Sequence, residues 1–172
     1  MKRITAILLC LTLICTLAVT ASAASAHMSL SSSAGTVHRG DTFTLTVSLS
    51  NNQPISNGGI VLSYDSSVFE MLGGTCHVSN ATLKEVSPAN GGGVFLLEND
   101  AVVSGTIFTI EMKVKSNAPF GSYSISGTPS LNIDCGLSGT TVSVACKHSF
   151  GAASKIDGNN HQSTCTICGE TK

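Results

Sequence analysis

The chain has 172 residues, of which 42% are hydrophobic and 11% charged, with a formal net charge of −1 and no tryptophan. So few charges leave no basic footprint for nucleic acid and no polybasic patch for a membrane surface. Gly, Ser, Thr, Asn and Val are abundant while Glu, Lys and Arg are scarce, a balance that favours strands and turns over helices.

The first segment in chain order is a leader. Lys2 and Arg3 precede an uncharged apolar run from Ile4 to Val19, and Ala21-Ser22-Ala23 and Ala24-Ser25-Ala26 are small-residue cleavage patterns. This is the layout of a secretory signal peptide, read as residues 1–26, with cleavage after Ala26 or alternatively Ala23. The run is short for a membrane span, and no later stretch is long enough to cross a bilayer. The expected product is secreted, extracellular or associated with the cell surface. Removing residues 1–26 takes away Lys2 and Arg3 and leaves seven basic against ten acidic residues, a net charge of −3.

Residues 27–145 read as one domain with a single core. His27 to Ala34 is a polar lead-in suited to an edge strand, and Gly35 to Asp41 is a turn. Phe43, Leu45, Val47 and Leu49 then alternate with Thr42, Thr44, Thr46 and Ser48, the period of a half-buried strand. Asn51 to Pro54 breaks it. Ile60 to Tyr64 is the next strand, entered through Asn57-Gly58-Gly59, and Val68 to Leu72 follows, ended by Gly73-Gly74. Ala81 to Val86 can pair, Gly91-Gly92-Gly93 is a flexible break, and Val94 to Glu98 is an apolar strand. From Gly105 onward Phe108, Ile110, Met112 and Val114 face one way, and Ile107, Thr109, Glu111, Lys113 and Lys115 the other. Tyr123 and Ile125, Leu131 and Ile133, and Val142 and Val144 mark the last three strands. Short strands separated by frequent turns, with no convincing helix, predict an all-β sandwich.

Residues 146–172 change character: apolar periodicity stops and a Cys/His-rich tail begins. It reads Cys146-Lys147-His148, then His161, then Cys165-Thr166-Ile167-Cys168-Gly169. A Cys-x-x-Cys turn presents two thiolates to one ion and a Cys-x-His pair supplies the rest, the inventory of a tetrahedral structural zinc site. The expected ligands are Cys146, His148, Cys165 and Cys168, with His161 as the alternative to His148. A redox role is disfavoured because no βαβ context accompanies the motif. Cys76 and Cys135 are left either as a disulfide or as two free thiols.

The ordered segments resemble a known family. Gly40-Asp41-Thr42-Phe43-Thr44-Leu45-Thr46-Val47, the stretch from Ile55 through Tyr64-Asp65 to Glu70, Gly105 to Lys115, and Ala118-Pro119-Phe120-Gly121-Ser122-Tyr123 resemble cohesin domains, in the right order from Gly35 to Val144. The resemblance implies a nine-stranded jelly-roll β-sandwich related in fold to carbohydrate-binding modules. It implies a non-catalytic module that binds calcium-loaded dockerin modules and so assembles enzymes of polysaccharide breakdown. Asn57 matches a partner-contacting Asn of well-known cohesins. Gly59 stands where those cohesins carry an Asp, and Glu98 matches a downstream acidic contact residue. Direct binding of polysaccharide and a purely structural surface role are the alternatives. The tail from Asp157 to Gly169 resembles short Cys/His repeats in surface proteins of Gram-positive anaerobes, in which a further His often follows the Cys-x-x-Cys-Gly.

No enzyme constellation stands beside this reading. There is no Gly-x-Ser-x-Gly elbow, His-Glu-x-x-His or phosphate-binding loop. Cys76 and His77 are adjacent, and neighbours on a strand point to opposite faces. Tyr64 and Tyr123 are the two amphipathic rings available for stacking on a sugar, and both fall inside expected strands.

Overall fold

The computed structural model describes residues 26–172. The expected leader, as far as Ser25, lies outside the described residues. Among the described residues there are thirteen strands and no helix.

One sheet of the sandwich has five strands. It runs β10 (Cys135–Ser138), β1 (Ala26–Ser32), β3 (Thr42–Ser50), β8 (Gly105–Val114), β5 (Phe69–Cys76). The other has six: β2 (Thr36–Val37), β11 (Thr140–Val144), β9 (Gly121–Leu131), β4 (Pro54–Ser63), β7 (Gly92–Val102), β6 (Ala81–Ser87). In the tail, β12 (Ser154–Lys155) and β13 (His161–Gln162) pair with each other.

The core lies between the two sheets. Leu45 and Val47 from β3, Phe108, Ile110 and Met112 from β8, Phe95 from β7 and Ile125 from β9 are fully buried. Each such side chain contributes on the order of 1.5–3 kcal/mol by leaving water. Aromatic contacts tie the layers: Phe69 on β5 meets Tyr123 on β9 edge to face at 5.8 Å between centroids, and Phe95 meets Phe108 at 6.0 Å in a tilted pair.

The all-β sandwich agrees with the sequence, but the strand number does not. Eleven described strands form the two sheets where nine were expected. The additional pieces are short and parallel: β2 lies beside β11, and β10 beside β1. Segments of two and four residues are too brief to carry an alternation signal.

Other boundaries shift for identifiable reasons. The N-terminal strand is not at an edge; β1 lies between β3 and β10, with Met28 and Leu30 buried. Gly58-Gly59, Gly73-Gly74 and Gly92-Gly93, read as breaks or entries, are inside strands β4, β5 and β7, while Gly91, with φ of +65°, does form the turn before β7. At Gly92 a Cβ would collide with the Ile60 carbonyl oxygen, so glycine there permits close backbone approach rather than a turn. Ile107 is buried, not outward. A bulge explains this: Val47 pairs with Phe108 but Ser48 pairs with Thr106, so Ile107 slips out of the alternation. Leu131 belongs to β9, and Ile133 lies in the bend after it.

Cys76 and Cys135 sit on β5 and β10, the opposite edges of the five-stranded sheet. Four strand spacings separate these edges by about 19 Å, far beyond the ~7 Å Cα limit for a disulfide. Both thiols are free.

Candidate functional site

The outer face of the six-stranded sheet follows from strand register. On β6, β7, β4 and β9, Glu85 pairs with Val94, Val94 with Gly59, and Gly59 with Ser130. The row beside it carries Leu83, Leu96 and Asn57. The row on the other side carries Ser87, Gly92, Val61 and Thr128. Side chains in one row of a sheet share a face, so these residues form a continuous surface.

That surface is divided. Val61, Leu83, Val94 and Leu96 are large apolar side chains that remain exposed, Val61 to 56%. Beyond them β9 presents Thr128 and Ser130, and hydroxyl residues continue along that strand. The central glycines leave a shallow depression of about 270 Å³, lined among others by Asn57, Gly59, Val61, Glu85, Asn90 and Val94. Asn90 donates to the Glu85 carboxylate at 2.8 Å, fixing the polar rim.

All three residues singled out from the sequence lie on this sheet. Asn57 is half-buried and donates from Nδ2 to Ser56 Oγ at 3.1 Å. Gly59 is buried in the floor of the depression. Glu98 is exposed and continues the outward positions of Val94 and Leu96. It lies in an excursion of the strand: Leu96 pairs with Asn57 and Ala101 with Ile55, so four residues of β7 face Ser56 alone. The apolar quartet was not singled out from the sequence. Its signal was the unbroken run Val94-Phe95-Leu96-Leu97, which makes both faces of β7 apolar while only one meets the core.

Elsewhere, His77 Nε2 lies 2.9 Å from Thr109 Oγ1. The Tyr123 hydroxyl donates to the Pro119 carbonyl at 2.9 Å while its ring packs on Phe69.

The tail forms a second site. Ligand atoms of Cys146, His148, Cys165 and Cys168 all lie within 4.8 Å of one another, a group that could hold a metal ion. Cys146 Sγ is 3.7 Å from Cys165 Sγ, and Cys168 Sγ is 3.5 Å from His148 Nδ1. A disulfide would bring sulfurs to about 2.05 Å. Tetrahedral bonds of about 2.3 Å to sulfur and 2.0 Å to nitrogen predict edges of about 3.8 and 3.5 Å, close to those observed. His161, the alternative ligand, lies outside this group, paired with Lys155 in the β12–β13 ribbon.

The chain around the four residues is built as a turn. Ser163 and Lys172 exchange two backbone hydrogen bonds of 3.0 Å, the Cys165 N–H donates to the Glu170 carbonyl at 2.7 Å, and the Gly169 N–H donates to the Cys165 carbonyl at 3.0 Å. Gly169, with φ of +79°, closes the turn in the left-handed region. Burial raises the Cys165 thiol, but N–H groups of Cys168, Ile167 and Ser149 pointing at its sulfur outweigh this and hold it at about 5. Burial, with the adjacent Cys168 and Cys165 sulfurs, pushes Cys146 up to about 12.

The family model for the cohesin domain matches residues 27–147, and the chain belongs to that family. Solved structures agree at the level of fold. The third ScaB cohesin of R. flavefaciens, in complex with a group 1 dockerin, aligns with TM-score 0.54 at 15% identity over 73% of this chain and 98% of that one. An OlpA type I cohesin–dockerin complex from Clostridium thermocellum aligns with TM-score 0.52 at 18% identity over 69% and 99%. The seventh ScaB type I cohesin from Pseudobacteroides cellulosolvens aligns with TM-score 0.52 at 16% identity over 80% and 99%. No curated protein matches the chain.

Proposed function

We propose that this chain is a secreted, non-catalytic docking module whose six-stranded face binds a calcium-loaded dockerin, in the service of extracellular polysaccharide breakdown. The observation that carries the reading is the exposed quartet Val61, Leu83, Val94 and Leu96 on an open sheet face of a cohesin fold. A contiguous aliphatic patch with a polar rim is the anatomy of a protein interface. Asn57 and Glu98 flank it as polar contacts, and Gly59 leaves room for a partner side chain between them. Similar folds solved with dockerins support the choice of partner.

Calorimetric titration with a panel of calcium-loaded dockerins from the source organism tests this. Leu96→Asp should abolish binding, and Asn57→Ala should weaken it about tenfold or more. Absence of binding to every dockerin at micromolar concentration overturns the reading. Direct polysaccharide binding is the competing reading, and a glycan array addresses it. The face offers aliphatic and hydroxyl groups rather than the flat rings on which sugars stack, which favours a protein partner.

For the tail, zinc is the proposed ion, in a structural role. Three thiolates and one imidazole at tetrahedral spacing suit zinc above harder cations. Elemental analysis should find one equivalent; less than about half, with Cys165 and Cys168 oxidised, counts against it.

A further inference from the structure

Glu170 touches both halves of the tail quartet. Its backbone carbonyl accepts from Cys165 N–H at 2.7 Å, and its carboxylate Oε2 lies 3.4 Å from His148 Nε2. On the same ring, Nδ1 faces Cys168 Sγ at 3.5 Å. The His148 ring also stacks on Phe150, with centroids 5.5 Å apart and planes at 15°, and Lys172 Nζ caps the far ring at 4.2 Å from its centroid. The imidazole therefore has neighbours on two sides: a carboxylate at ion-pair distance from one nitrogen and a ring against its face.

We infer that Glu170 is the positioning residue of the tail metal site: it selects the His148 tautomer with hydrogen on Nε2, so that Nδ1 ligates the ion. This rests on the zinc reading and deepens it. An imidazole binds metal through a nitrogen that carries no proton, and the partner of its other nitrogen decides which one that is. A carboxylate in that place also holds the orientation of the ligand ring. Phe150 fixes the ring plane but cannot distinguish the two nitrogens, so the choice falls to Glu170. Through Glu170 the segment that follows the Cys-x-x-Cys turn is joined to His148 of the first ligand pair. Some twenty-seven largely polar residues cannot bury a core of their own, and zinc coordination supplies the energy that orders them.

The test uses the whole protein, stripped of metal under reducing conditions and titrated with zinc against a competing chelator. Wild type should bind one equivalent. Glu170→Gln should still bind one equivalent but about 10- to 100-fold more weakly, and Glu170→Asp should recover part of the loss. ¹⁵N NMR of zinc-loaded wild type should show His148 bound through Nδ1 and protonated at Nε2, with that preference relaxed in Glu170→Gln. Zinc bound through Nε2, or equal affinity of Glu170→Gln and wild type, overturns the role of Glu170 while leaving the zinc site standing. No zinc on wild type overturns both.

Discussion

Gly59 on β4 pairs with Val94 on β7, and a Cβ placed on Gly59 would lie 2.9 Å from the Gly93 carbonyl oxygen. That oxygen belongs to backbone held in the sheet and cannot swing aside as a side chain would. The Asp that the cohesin resemblance leads one to expect here cannot be added to this sheet without moving a strand. Gly59→Asp is therefore expected to lower stability by about 1–3 kcal/mol, and to weaken partner binding rather than strengthen it. Urea unfolding checks the first outcome and calorimetry the second. Unchanged stability would show that β4 and β7 part easily at this point.

Much of the architecture was legible because alternation is a strong signal in β3 and β8. In both, the residues expected to face inward are the buried ones. Ile107 escaped because a bulge shifts the register by one residue, and nothing in the local pattern marks it. Glycines misled in the other direction. Gly58, Gly59, Gly92 and Gly93 suggested breaks, yet they lie within paired strands and clear space for Phe95, Phe108 and neighbouring carbonyls. The grouping of Cys165 and Cys168 in the tail was legible from spacing, since a Cys-x-x-Cys turn fixes two sulfurs locally, whereas spacing left His148 and His161 as alternatives and the fold brings His148 to the cluster. The contacts of Phe150 and Glu170 with His148 were not legible, because they depend on how the two ends of the tail meet.

Asp65 organises the turn that delivers Val68 and Phe69 to the core. Its carboxylate accepts from the Ser67 hydroxyl at 2.6 Å and from the Ser67 N–H at 2.8 Å, and its backbone carbonyl accepts from Val68 and Phe69. The Ser67 side-chain and backbone bonds hold its pKa below the usual 3.8. A carboxyl with a depressed folded pKa contributes stability above its unfolded pKa and loses it as pH falls through the folded value. Wild type should thus lose more stability than Asp65→Asn between roughly pH 5 and pH 2. Chemical denaturation across that range reads the difference, and parallel profiles would remove the carboxylate from the account.

The opposite-edge placement of Cys76 and Cys135 makes a chemical prediction. In folded, unreduced protein both thiols should label with an alkylating reagent, Cys135 more slowly. Burial raises the Cys135 thiol above its usual pKa of 9.0, which leaves less reactive thiolate at neutral pH. Peptide mass mapping without reductant distinguishes this from a bridge. A Cys76–Cys135 crosslinked peptide from monomeric protein would contradict the sheet order.

Ala26 bears on where the proposed leader would be removed. It is 2% exposed, pairs with Cys135 across β1 and β10, and donates its N–H to the Asp134 carbonyl at 3.1 Å. A chain beginning at His27 would lose these contacts and place a charged amine at the first rung of the β1–β10 pair. Cleavage at the alternative site, after Ala23, leaves Ala24 and Ser25 ahead of the strand and keeps Ala26 in its buried place. If the leader is cleaved as proposed, the product is accordingly expected to begin at Ala24, which N-terminal sequencing or intact mass measurement reads directly. A mature chain starting at His27 would mean that β1 and β10 pair without that first rung, and its stability should then be lower than that of a recombinant chain beginning at Ala24.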